Sequence, residues 1–125
     1  MRLRSDIFVS ALIRKAFAAG GFAAVERRGA EDGGAIFVRL DHRDGTESLY
    51  APAPQSFFGE ETGDRLFERR IERGGREAVS DALTREIRFD GDLWVVALEV
   101  AGLDGLITLA GEERPPSEAD GLFRR

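Results

Sequence analysis

Residues 35–51 read AIFVRLDHRDGTESLYA, and the fold class follows from that stretch. Over Ala35–Asp41 the apolar Ile36, Val38 and Leu40 recur at every second position, the period of a strand with one buried face. Asp44-Gly45 then supplies a turn, because glycine takes positive φ without cost and aspartate bonds the backbone just ahead of it. Thr46–Ala51 returns as the partner strand until Pro52 and Pro54, which cannot donate to a ladder, bring it to an end. An antiparallel hairpin therefore sits near the middle of the chain.

Working outward toward the N-terminus, Phe22–Arg28 reads as a preceding strand, with Glu31-Asp32-Gly33-Gly34 as its turn. Before it, Val9, Leu12, Ile13, Ala16 and Phe17 share one helical stripe. Ser5 or Asp6 is placed to cap that helix and Gly20-Gly21 to end it. Toward the C-terminus, residues 55–63 read as a polar loop, and residues 64–72 fit a strand (Arg65–Ile71) or a helix. After Gly74-Gly75, the positions Val79, Ala82, Leu83, Glu86 and Ile87 define a second amphipathic helix, closed by Asp90-Gly91. Leu93–Val100 is apolar on both faces, as a strand inside a covered sheet is. Leu106–Leu109 adds a short edge strand.

The expected fold is α+β: a single compact domain in the order α-β-β-β-(β)-α-β, with a largely antiparallel sheet, an antiparallel meander, packed against two amphipathic helices. Residues 1–110 form the domain and 111–125 a polar, flexible tail. The chain has 125 residues, 42% hydrophobic and 33% charged, enough for one core and a solvated shell. The apolar run Ile7–Ile13 is broken by Ser10 and stopped by Arg14-Lys15, unlike the core of a secretory leader, and no stretch reaches the length of a membrane span. The expected location is the cytoplasm.

Chemistry is excluded more readily than assigned. There is no cysteine, so disulfides, thiolate metal sites and a thiol nucleophile are ruled out. No phosphate-binding or dinucleotide glycine motif is present, and no nucleophile elbow. Asp41, Glu47 and Glu68 lie on or near strands, but the one lysine, Lys15, is on the first helix, so a nuclease-type metal site is not supported. His42, the sole histidine, falls in the hairpin turn, where it reads as exposed and without a serine partner. No metal and no cofactor are expected. The glycine pairs at 20–21, 33–34 and 74–75 stand where elements end.

The net charge is −5, yet residues 1–29 carry about +4, leaving about −9 for the remainder. An acidic chain has no general attraction for nucleic acid or an anionic membrane, and neither is expected as a partner. Arg27 and Arg28, adjacent on a strand, point to opposite faces, so one of them meets a helix or a groove. Arg69 and Arg70 repeat the pattern beside Glu68 and Glu72. A guanidinium on a sheet face clamps phosphate or carboxylate bidentately, or pairs with a nearby glutamate. Trp94 reads as core packing, and Tyr50, before the prolines, as a residue lining a pocket at the strand end.

Several segments together resemble a known family. They are Ser5–Val9, Ala11–Lys15, Phe22–Val25, Arg27–Gly29, Gly34–Ile36, Asp44-Gly45, Leu49–Gln55, Phe67–Arg70, Glu86–Asp90 and Asp92–Val96. Over residues 2–100 the combination resembles the alphaproteobacterial family called domain of unknown function 1491. The resemblance implies a bacterial, cytoplasmic α+β domain and carries no activity with it. The expected function is a non-enzymatic binding or regulatory module, acting through contact with another protein or with a second copy of itself. The alternative is a protein that binds a small anion, phosphate or carboxylate, through Arg14, Arg27, Arg28, Tyr50 and Arg70, with or without catalysis. The reading leans away from an enzyme, and no catalytic residue is named.

Overall fold

The computed structural model describes residues 3–54 and 65–110. The elements, in chain order, are α1 (Ser5–Ala18), β1 (Phe22–Arg27), β2 (Ile36–Asp41), β3 (Thr46–Pro52), β4 (Leu66–Gly75), α2 (Arg76–Phe89), β5 (Trp94–Glu99) and β6 (Thr108–Leu109). The ambiguous fourth segment is a strand, ten residues long. The loop at 55–63 and the tail from 111 lie outside the described residues.

The six strands form one sheet in the order β1-β5-β2-β3-β4-β6. β2-β3-β4 is the antiparallel meander read from the sequence. β1 does not join it: β5 inserts between β1 and β2, antiparallel to the first and parallel to the second. The physical reason is that β5 is apolar on both sides and is best buried with a neighbour on each edge. Residues 31–34 accordingly span a gap of two strand positions and do not turn a hairpin. β6 pairs with β4 in parallel at the far edge.

Alternation along the strands builds two cores. Ile36, Val38, Leu40, Tyr50, Phe67, Trp94, Val96 and Leu98 face Val9, Leu12 and Ala16 of α1. Phe37, Leu49, Ala51, Leu93 and Val95 face Val79 and Leu83 of α2 on the other side. The helices therefore cover opposite faces of the sheet. α1 packs over β1 and β5, whereas α2 lies over β3 and β4, so each helix leaves part of its face open.

Four local readings change. Ser5 does not cap α1 but is its first residue, and its buried hydroxyl donates to the Gly34 carbonyl at 2.6 Å. The Asp32 and Glu31 carbonyls accept from the Ser5 and Asp6 N–H groups instead, which satisfies the helix start with backbone. Phe17 leaves the buried stripe, being 51% exposed and set edge-on against Phe22 at 5.6 Å. His42 is half-buried, its Nε2 2.7 Å from the Ser48 hydroxyl. Gly74 and Gly75 are the last two residues of β4, with α2 starting directly after them. Gly20, at φ 88°, does close α1 in the left-handed region.

Candidate functional site

β1 is the end strand of the sheet, and among the described residues nothing pairs with its outer edge. Its pairing with β5 shifts register between Val25 and Arg27, so Glu26 sits in a bulge. The bulge turns Glu26 and Arg27 together toward the α2 face, while Arg28 lies on the α1 face. Regular pairing along the outer edge is thus confined to Phe22–Val25. A groove flanks this edge on each face.

The groove on the α1 face has a volume of about 350 Å³ and is lined by Ile7, Ser10, Arg14, Val25, Arg28 and Trp94. Ile7 is 47% exposed and Val25 40%, so its walls are partly apolar and wet. Arg28 lies with its guanidinium 5.0 Å above the Trp94 ring and pairs loosely with exposed Glu31 at 3.4 Å. Trp94 is held from behind, its indole N–H donating to the Ala30 carbonyl at 2.8 Å. The Arg14 side chain makes no hydrogen bond or ion pair among the described residues. The groove's one carboxylate, Asp6, already accepts from Arg4 at 3.2 Å, which holds its pKa below the ordinary aspartate range.

The cleft on the α2 face, also about 350 Å³, is lined by Glu26, Arg27, Arg39, Ser80, Thr84 and Val95. Its chemistry is largely spent internally. Arg39 donates to Glu47 at 2.5 and 2.9 Å, to Glu26 at 3.2 and 3.4 Å, and to Ser80 at 3.2 Å. Arg27 donates from its terminal nitrogen to the Gly91 carbonyl at 2.8 Å, tying the turn after α2 to β1. Its Nε is buried without an acceptor. The rest of the side chain is half-buried on the cleft wall, opposite in charge to Glu26 beside it.

The five residues singled out from sequence therefore do not converge. Arg14 and Arg28 share the α1-face groove, and Arg27 lies in the other cleft. Arg70 is paired with Glu68 at 2.8 Å and Glu86 at 3.4 Å, two carboxylates that raise its pKa. Tyr50 is 3% exposed and belongs to the core, where Arg69 lies 5.7 Å over its ring.

His42 has a serine partner after all, but Ser48 is 1% exposed and also accepts from the Arg73 N–H at 3.0 Å. A buried hydroxyl locked between two partners is a structural bond and offers no nucleophile. Asp41, Glu47 and Glu68 are taken up by Arg76, Arg39 and Arg70, and no group of three acidic or histidine side chains suited to a metal occurs among the described residues. No helix among them is long and apolar enough to cross a membrane. What sequence reasoning missed is the apolar lining at Ile7 and Val25, whose signal is only that both fall outside the buried periodicity of their elements.

Comparison with known proteins agrees with this picture of a fold without an assigned chemistry. A family model described as "Protein of unknown function (DUF1491)" matches residues 3–108. The chain belongs to the DUF1491 family. The solution structure of a protein from A. tumefaciens is similar at 53% identity and a TM-score of 0.81, over 92% of this chain and 100% of that one. The crystal structure of a DUF1491 family protein from Caulobacter crescentus CB15 is similar at 34% identity and a TM-score of 0.65, over 79% of this chain and 87% of that one. An NMR structure of a DUF1491 family protein from the same organism gives 35% identity and the same TM-score, 0.65. No curated protein matches the sequence. The DUF1491 fold thus extends to residue 108, past the end of the segments that carried the resemblance.

Proposed function

We propose that this DUF1491 protein is a non-enzymatic binding module that takes up an extended segment of another protein by strand addition to the outer edge of β1. One observation carries the reading. Of the six large apolar side chains that stand exposed among the described residues, four gather along this edge: Ile7, Phe17, Phe22 and Val25. Natural sheets blunt an edge with charge, proline, bulges or shortness. β6, only two residues long, is blunted in that way. β1 keeps a regular run next to apolar surface, which is the layout of strand-addition sites, where backbone bonds give affinity and flanking pockets give specificity. The setting taken is the cytoplasm, as the family resemblance implies.

A photo-crosslinking amino acid in place of Phe22 or Val25, introduced in the living cell, tests the reading. Discrete protein adducts are expected from both positions and none from Glu72, which is 70% exposed on β4 with three strands between it and β1. Adducts equal at all three positions, or absent at Phe22 and Val25, sink it.

A small anion bound between Arg14 and Arg28 is the second reading, supported by the lack of a counter-charge on Arg14 among the described residues. A saturable shift of those two side chains on adding inorganic phosphate, with the β1 amides unmoved, would favour it over strand addition.

A further inference from the structure

We infer that the partner segment is acidic, carrying aspartate or glutamate at every second residue so that its carboxylates enter the α1-face groove between Arg14 and Arg28. The inference rests on the strand-addition reading and names the partner's chemistry. It follows from the charges around β1. The cations beside the edge are Arg14 and Arg28 in the α1-face groove and Arg27 in the cleft on the other face. The carboxylates nearby are already engaged: Asp6 with Arg4, and Glu26 with Arg39. Arg28 has only a 3.4 Å contact with Glu31, which is 59% exposed and shared with Arg4. The edge is therefore electropositive on a chain whose net charge is −5.

A strand laid on β1 sends its side chains alternately to the two faces. Those on the α1 face descend past Ile7 and Val25 and meet the two guanidinium groups. Arg28 is braced by the Trp94 ring beneath it, so its charge is held in place before any ligand arrives. A carboxylate there forms charge-assisted bonds without having to displace a strong internal one. Side chains on the α2 face meet Glu26 and Arg27, a balanced pair, and gain little from either charge. The groove therefore selects acid at alternate positions rather than overall negative charge.

A second copy of the chain is the poorer occupant. Joining two β1 edges about a two-fold axis brings two identical basic edges together, and like charges in juxtaposition oppose association.

The test is selection from a random-sequence peptide library displayed against the full-length protein, with the enriched peptides then synthesised and titrated into isotope-labelled protein. Enrichment of Asp or Glu at alternate positions is expected, with shifts at Phe22–Val25 and along the Ile7 side of α1. Affinity should fall at least about tenfold for Glu→Gln peptides and for the Arg14→Glu/Arg28→Glu protein. Both arginines are exposed, and an unchanged circular dichroism spectrum establishes that the variant is folded. Peptides that shift Phe22–Val25 but show no acidic pattern, or bind the charge-reversed protein equally well, overturn the inference and leave strand addition standing. Selected peptides that leave β1 unshifted overturn both. So does protection of the outward β1 amides from exchange in the peptide-free chain, as monomer or dimer, because the edge would then already be occupied.

Discussion

Arg39 occupies a position that the strand pattern reserves for an apolar side chain. It lies on the same face of β2 as Phe37, with α2 alongside, and its side chain is only 13% exposed. Such a guanidinium is tolerable only because each of its three nitrogens has an acceptor, the main one being Glu47, itself 8% exposed. Removing both from water costs several kcal/mol per ion, and their attraction offsets this only while the pair is intact. Glu47→Ala should therefore destabilise the protein by about 3–5 kcal/mol, since it strands a buried cation. The double change Arg39→Met with Glu47→Leu should cost little or even stabilise, because apolar groups of similar size fill the same space. Urea unfolding of the two variants decides the matter. If Glu47→Ala costs under about 1 kcal/mol, Glu26 and solvent are compensating the charge and the pair is a surface bridge in energetic terms.

At the scale of elements, the hairpin joining β2 and β3 shows how much local chemistry dictates. Asp44-Gly45 marked the turn, and the structure gives the mechanism: Asp44 Oδ1 accepts from the Thr46 hydroxyl at 2.6 Å and the Thr46 N–H at 3.0 Å, with Gly45 at φ 91°. The Thr46 hydroxyl bond is the main cause holding the Asp44 carboxyl below the ordinary aspartate range, with the Arg73 guanidinium adding a smaller pull. A depressed folded-state pKa means a contribution present above the unfolded-state value and lost as pH falls through the folded-state value. The hairpin should accordingly loosen only in acid, and the Asp44 midpoint, followed by carboxyl NMR, should move up in Thr46→Val; an unmoved midpoint would assign the shift to the Thr46 N–H and Arg73, which the variant keeps. The same locality explains what was legible beforehand. Both helices and the β2–β3 hairpin showed in periodicity and turn residues, and the opposed directions of Arg27 and Arg28 in strand alternation. The place of β5 between β1 and β2 did not show, because strand order depends on contacts between residues distant in sequence. Nor did the edge groove. Ile7, Phe17 and Val25 are the same residue types as the core, and only the placement of α1 over β1 and β5 decides which of them are left uncovered.

For the molecule as a whole, the question is where the cooperative unit ends. Among the described residues, every buried apolar residue of the two cores lies between Val9 and Ile107. The last backbone bond among the described residues that joins the C-terminal stretch to the sheet runs from the Ala110 N–H to the Phe67 carbonyl at 2.8 Å. The family match stops at residue 108. We propose that residues 1–110 are sufficient for the fold. A chain ending at Ala110 should then unfold in one transition with a stability within about 0.5 kcal/mol of the full chain, the range of substitutions that touch no core contact. Its denaturant slope should be unchanged as well, because that slope follows the surface exposed on unfolding. A loss of several kcal/mol, or a clearly smaller slope, would mean that residues 111–125 bury surface against the domain, and the edge of β1 and the grooves beside it would be the first places to look for that contact.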